Sequence, residues 1–198
     1  EADLDNYHRV NAERLSTVRR IERHANVIIN APPQAQLLTK PYVIGLAVGI
    51  PIDEVSFPGL ISKKTDAVQV LHSPSFRIGK GTVEIRKAIN QLQQSGININ
   101  YTEISNRPHI EVRQAITECD FVIDQVYSDS PMAGFAAEAA LAGKPAVVCG
   151  YYSANYEDDL APQFRPPSLY CQPEQLEESI RTLATDAALR EHLGAAAQ

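Results

Sequence analysis

Apolar positions along the chain follow two unlike patterns. From Leu4 to Ala25 the residues Leu4, Tyr7, Leu15, Val18, Ile21 and Ala25 recur at roughly helical spacing among many charges. This predicts a long amphipathic helix that must pack on something. A short apolar run at 26–29, a helical turn after Ala31-Pro32-Pro33 and a second run at 42–48 follow, closed by Gly49-Ile50-Pro51-Ile52-Asp53. Pro51, Pro58, Gly59 and the polar stretch 62–66 read as a linker.

Beyond the linker the pattern becomes regular. Apolar or alternating runs at 67–71, 97–101, 121–124, 146–149 and 169–171 predict strands, with helical periodicity between the first four and after the last. Thr82 can cap a helix whose Ile85, Ala88, Ile89 and Leu92 share one face before Gly96 ends it. Pro108 sits at the first helical position ahead of Val112, Ala115, Ile116 and Cys119. A helix over 133–142 stops at Gly143, with Pro145 barring its continuation. Pro173 opens a helix with Leu176, Ile180 and Leu183 inward, and Asp186 caps a last one. Strands alternating with helices imply right-handed βαβ units and a parallel sheet covered on both faces, an α/β, Rossmann-like domain. Such sheets take ligands beyond the carboxyl ends of their strands, so the loops after Leu71, Tyr101, Asp124 and Cys149 are where chemistry is expected.

Composition narrows the function classes. The chain has 198 residues, 44% of them hydrophobic, enough to bury one sizeable core. A net charge of -6 without runs of Lys or Arg removes the electrostatic basis of nucleic-acid binding, so neither DNA nor RNA is expected as a partner. The longest apolar runs are far short of a membrane span, and the acidic, helical start is unlike a signal peptide. Cys119, Cys149 and Cys171 lack paired spacing and read as reduced structural thiols, which fits a cytoplasmic location.

The stretch His72–Thr82, HSPSFRIGKGT, lies in one of these loops. Arg77, Lys80 and the amides of Gly79, Gly81 and Thr82 gather near a helix start, where unpaired N–H groups and the helix dipole favour an anion such as diphosphate. A P-loop does not fit: Pro74 stands where its first glycine belongs and Gly81 where its Ser or Thr belongs. No Gly-x-Gly-x-x-Gly fingerprint is present. A plain glycine turn carrying two solvated cations stays open as the other reading.

A second stretch, CDFVIDQVYSDSPMAGFAAEAALAGKPAVV from Cys119 to Val148, resembles the donor-binding half of retaining glycosyltransferases with the GT-B fold, the family 4 group. The shared features are the apolar strand Phe121–Asp124, Gly134 at a helix start, Glu138, and Gly143-Lys144-Pro145-Ala146-Val147. RIGKGT looks like that family's basic loop, and PEQLEESIRTLATDAALREHLGAAA like its paired helices near the end of the donor domain. HANVIINAPPQAQLL and GIPID resemble the segment that leaves the acceptor-side domain.

The resemblance implies residues 1–56 as the tail of an acceptor-side domain or a helical appendage, 57–66 as linker and 67–198 as the nucleotide-sugar domain. It implies Lys80 and Arg77 on the donor diphosphate and Glu138 on ribose hydroxyls. Gly79, Gly81, Thr82, Gly134 and Phe135 would line the donor. Glu138 is also the only acidic residue of an otherwise small, apolar helix that reads as buried. The family's first glutamate would stand at Ser130, with Asp129 one residue earlier, so either Asp129 replaces it through a shifted loop or that sugar contact is lost. His72 and His109 reach the crevice without an assigned catalytic role.

The resemblance further implies transfer from a nucleotide diphosphate sugar to an acceptor hydroxyl, in polysaccharide or glycolipid synthesis, with no cofactor and no obligatory metal. Most of the acceptor site would belong to a domain outside this chain. The acceptor glycan or glycolipid, and any peripheral membrane association of the whole enzyme, would be reached through that domain. The helix over 4–25 is expected to cover an apolar surface or to mediate self-association. A non-catalytic nucleotide-sugar-binding or interaction module, and an epimerase acting on the sugar nucleotide, are the other readings.

Overall fold

The structure, a computed structural model, describes residues 2–30, 35, 37–45, 66–127, 132–152 and 167–197. The chain forms two units, Glu1–Ala47 and Val48–Gln198. All of the expected linker except Asp66 lies outside the described residues.

In the first unit, helix α1 (Ala2–His24) precedes two short parallel strands, β1 (Ile29–Asn30) and β2 (Val43–Ile44). The helix is fastened by a buried carboxylate. Glu22 accepts from the amides of Thr39 at 2.5 Å and Lys40 at 2.9 Å, from the Thr39 hydroxyl at 2.9 Å and from the Arg19 guanidinium at 2.7 Å. The Thr39 amide is the largest of the influences that hold this carboxyl down at about 2, against the opposing pull of burial. Leu15 and Ile21 of the predicted apolar stripe are exposed, as are Ile29, Val43 and Ile44.

The second unit runs β3 (Val68–His72), α2 (Thr82–Gln94), β4 (Ile99–Glu103), α3 (His109–Glu118), β5 (Phe121–Gln125), α4 (Gly134–Leu141), β6 (Ala146–Cys149) and β7 (Leu169–Cys171). A single 3-10 turn at Pro173–Gln175 leads into α5 (Leu176–Thr185) and α6 (Ala187–Ala197). The five strands pair in parallel, in the order β4-β3-β5-β6-β7. This is the expected α/β sheet. One face buries Val70, Phe121, Ile123 and Val147 with Ile85, Ile89, Ile180 and Leu183 of α2 and α5. The other buries Leu71, Val122 and Val148 with Ile116, Ala136 and Ala139 of α3 and α4. Strand β5 is buried along its whole length, as the unbroken apolar run from Phe121 requires of a central strand.

Element ends differ from the periodicity in two instructive places. Strand β4 starts two residues later than the apolar pattern suggests, because the Ile97 amide closes the end of α2 on the Leu92 carbonyl while Gly96 takes φ +92°. Pro108 is the residue before α3 rather than its first turn. The Asp186 cap is present, its carboxylate accepting from the Leu189 amide at 2.9 Å. Gly194 of α6 lies on the Gly143 turn so closely that a Cβ would stand 2.2 Å from the Gly143 carbonyl oxygen. No helix among the described residues is long and apolar enough to cross a membrane.

The connection from β3 goes outward to β4, whereas the chain from β5 runs the other way to β6 and β7. The order therefore reverses between β3 and β5, and the carboxyl ends of those two strands open the crevice that binds ligands in such sheets.

Candidate functional site

The loop from Ser73 to Gly81 leaves β3 at this switch point and closes on itself. The amides of Lys80, Gly81 and Thr82 donate to the carbonyls of Phe76 at 3.0 Å, Ile78 at 3.1 Å and Arg77 at 3.0 Å. The Gly81 and Thr82 amides of the expected anion cradle are thus spent inside the loop, which leaves the Lys80 and Arg77 side chains and the Gly79 amide of that set. Gly81 has φ +68°, and a Cβ on it would stand 2.5 Å from the Val126 Cβ, so glycine is required by backbone and by packing. Gly79 is covered by the Phe76 ring, 2.6 Å from where its Cβ would be.

The Thr82 side chain also points inward. His72 is fully buried, with Nδ1 2.8 Å from the Ile123 carbonyl and Nε2 3.0 Å from the Thr82 hydroxyl. A carbonyl can only accept, so Nδ1 carries the proton and Nε2 accepts from Thr82. Burial holds the imidazole below its ordinary pKa, keeping it neutral. His72 is thus a packed residue that orients the start of α2.

The two cations of the loop diverge. Arg77 donates to Glu103 on β4 at 2.9 Å, and the same carboxylate takes two bonds from Arg86, both at 2.8 Å. Arg86 foremost, then Arg77, hold the Glu103 carboxyl at about 2. Lys80 turns to the opposite neighbour of β3: its ammonium lies 3.3 Å from Asp124 Oδ1 and 2.6 Å from Gln125 Oε1 at the end of β5. Asp124 is buried, and burial raises its pKa while the Lys80 charge offsets part of that rise. Its Oδ2 has no well-formed hydrogen bond among the described residues.

On the far side of β5, α4 carries Glu138, with 18% of its side chain exposed. Both of its carboxylate oxygens face His109 Nε2, at 2.9 and 2.8 Å. Among the described residues, nothing lies within 4 Å of where a Cβ on Gly134, the first residue of α4, would be. Phe135 is partly buried and packs against the apolar cluster that α3 and α4 form. Ser130 and Asp129 lie outside the described residues.

Four polar residues were not assigned from the sequence: Asp124, Gln125, Glu103 and His109. Asp124 carried the one available signal, an aspartate closing an otherwise apolar strand. The pairing of Glu103 with Arg77 and Arg86 depends on register between strands, which no local pattern encodes. The same edge also gathers the exposed large apolar side chains of this unit among the described residues: Phe76, Ile78, Val83, Ile110, Tyr127 and Tyr151.

No family model matches the sequence, and no curated protein matches it. Among solved structures the chain is similar to WaaG, a glycosyltransferase involved in lipopolysaccharide biosynthesis, at 20% identity and a TM-score of 0.47. The match covers 67% of this chain and 42% of WaaG.

Proposed function

We propose that residues 67–198 form the donor-binding part of a retaining glycosyltransferase of GT-B architecture, holding a nucleotide diphosphate sugar at the β3–β5 switch point. The observation that supports this most is the Lys80 ammonium, 19% exposed at the mouth of the crevice, with two bonds made to β5 and no third partner among the described residues. An ammonium has three donors, so one remains for a phosphoryl oxygen. As the sugar–phosphate bond breaks, negative charge grows on the departing diphosphate, and a fixed cation there stabilises the transition state more than the ground state.

Arg77 can join Lys80 without leaving a bare carboxylate, because Glu103 keeps Arg86. Glu138 takes the ribose hydroxyls: its two oxygens offer about four acceptor positions, and His109 occupies one on each. The start of α4 at Gly134, where no described residue stands within 4 Å of a Cβ position, takes the sugar or phosphate in this reading. Acceptor and second domain lie beyond this chain in this reading, and the apolar carboxyl edge is the surface that they cover.

The test is calorimetric titration with UDP, GDP and ADP, with and without magnesium, on the wild type, Lys80→Ala and Glu138→Ala. One nucleotide should bind, with affinity reduced about tenfold or more by either substitution. A folded chain that binds none of the three removes the donor-domain reading.

A further inference from the structure

Lys80 is fixed to three successive residues at the end of β5. Its carbonyl accepts from the Val126 amide at 3.1 Å, and its ammonium reaches Gln125 Oε1 and Asp124 Oδ1. Neighbouring side chains on a regular strand point to opposite faces, so Asp124 and Gln125 would not ordinarily meet one cation. Here the register of β5 against β6 slips: Ile123 pairs with Val147, yet Gln125 pairs with Val148. An irregularity of this kind re-aims a side chain, and such features recur beside active sites. Gly81 supplies the matching half, since only a residue without Cβ brings Lys80 this close to Val126.

We propose that Asp124 and Gln125 are the positioning residues of Lys80, holding its ammonium by two N–H bonds so that the third is aimed at a diphosphate oxygen. The proposal rests on the donor-site reading above and adds to it the residues that prepare the cation. A free lysine carries about 2 kcal/mol of rotamer freedom, so restraining it before the ligand arrives is worth at most roughly thirtyfold in affinity. Asp124 carries charge of the ligand's sign and partly neutralises Lys80, so the Asp124→Asn arm below reads restraint against repulsion, and Gln125→Met, which changes no charge, reads restraint alone.

The experiment uses inorganic pyrophosphate, which carries no base or sugar, on the wild type, Asp124→Asn, Gln125→Met, Lys80→Met and the double variant Lys80→Met/Asp124→Asn. Affinity is read by calorimetry, and in parallel the acetylation rate of the Lys80 amine by acetic anhydride is read by mass spectrometry without ligand. Asp124→Asn and Gln125→Met should each weaken pyrophosphate binding about tenfold and speed Lys80 labelling several-fold. The double variant should bind no worse than Lys80→Met, because a residue that acts through Lys80 has nothing left to do. Unchanged labelling, or unchanged or tighter binding by both single variants, overturns the proposal. Should the wild type itself fail to bind pyrophosphate, the diphosphate reading falls, and the labelling arm alone decides whether Asp124 and Gln125 hold the lysine. Gln125→Met removes no charge, so it keeps the test open if Asp124→Asn fails to fold.

Discussion

Two carboxylates flank β3, one on each side, and each holds a cation from the same loop. Glu103 on β4 is shared by Arg77 and Arg86, whose side chains are 54% and 51% exposed, and its carboxyl lies at about 2. Asp124 on β5 is completely buried, has Lys80 as its one cation among the described residues, and is shifted upward. The direction depends on which effect is larger. The two-bond fork of Arg86 and the single bond from Arg77 outweigh desolvation at Glu103, whereas at Asp124 the loss of water exceeds what one ammonium at 3.3 Å returns. Opening the two pairs should therefore have unequal consequences.

The largest effect is expected from Lys80→Met, which leaves a buried carboxylate uncompensated at a cost of about 3–5 kcal/mol. The sign follows from linkage. A carboxyl whose folded pKa is raised favours the fold while protonated, and that contribution is lost as pH rises through the folded value. The melting-temperature loss of Lys80→Met should thus be greater at pH 8 than at pH 5, and Asp124→Asn in the same chain should recover part of it. A loss that is the same at both pH values would show that the pair is not what the substitution breaks.

Glu103 should behave in the opposite sense. Its depressed carboxyl contributes stability above its unfolded value near 4.5, and that contribution disappears as pH falls towards 2. Glu103→Gln should flatten the acid limb of the stability profile over this window: its melting-temperature loss is greatest at neutral pH, fades as pH falls towards 2, and stays smaller than that of Lys80→Met. The smallest effect belongs to Arg86→Met: Arg77 remains on Glu103, the arginines are half in solvent, and exposed pairs contribute little. A drop as large as that of Lys80→Met would reverse the comparison.

Much of the fold was legible because the strands announce themselves. Residues 146–149, between Pro145 and Gly150, and 169–171, between Pro167 and Pro173, match the observed strands, since breakers on both sides leave a short apolar stretch little freedom. The core face of α2, Ile85, Ala88, Ile89 and Leu92, is likewise buried as its spacing requires. The site was legible only in part. Glycine and lysine at 79–81 signalled an anion, but the sequence could not tell that the Gly81 and Thr82 amides would be consumed by Ile78 and Arg77. Nor could it pair Lys80 with Asp124, 44 positions away, because that meeting depends on β3 lying beside β5 and on a one-residue slip in register. The fastening of α1 through Glu22 was hidden for a related reason: a charged residue on a polar-rich helix looks solvated until Thr39 and Lys40 fold over it.

The central claim, that Lys80 serves a diphosphate at the switch point, is tested most directly by comparing a nucleoside diphosphate with its monophosphate. The nucleotide chosen is the one that binds in the panel, titrated into the wild type and into Lys80→Met at equal ionic strength. The account predicts that the wild type prefers the diphosphate by about tenfold or more, and that Lys80→Met, still folded, loses the preference. Equal affinities in the wild type, or a preference that survives the loss of Lys80, would contradict it.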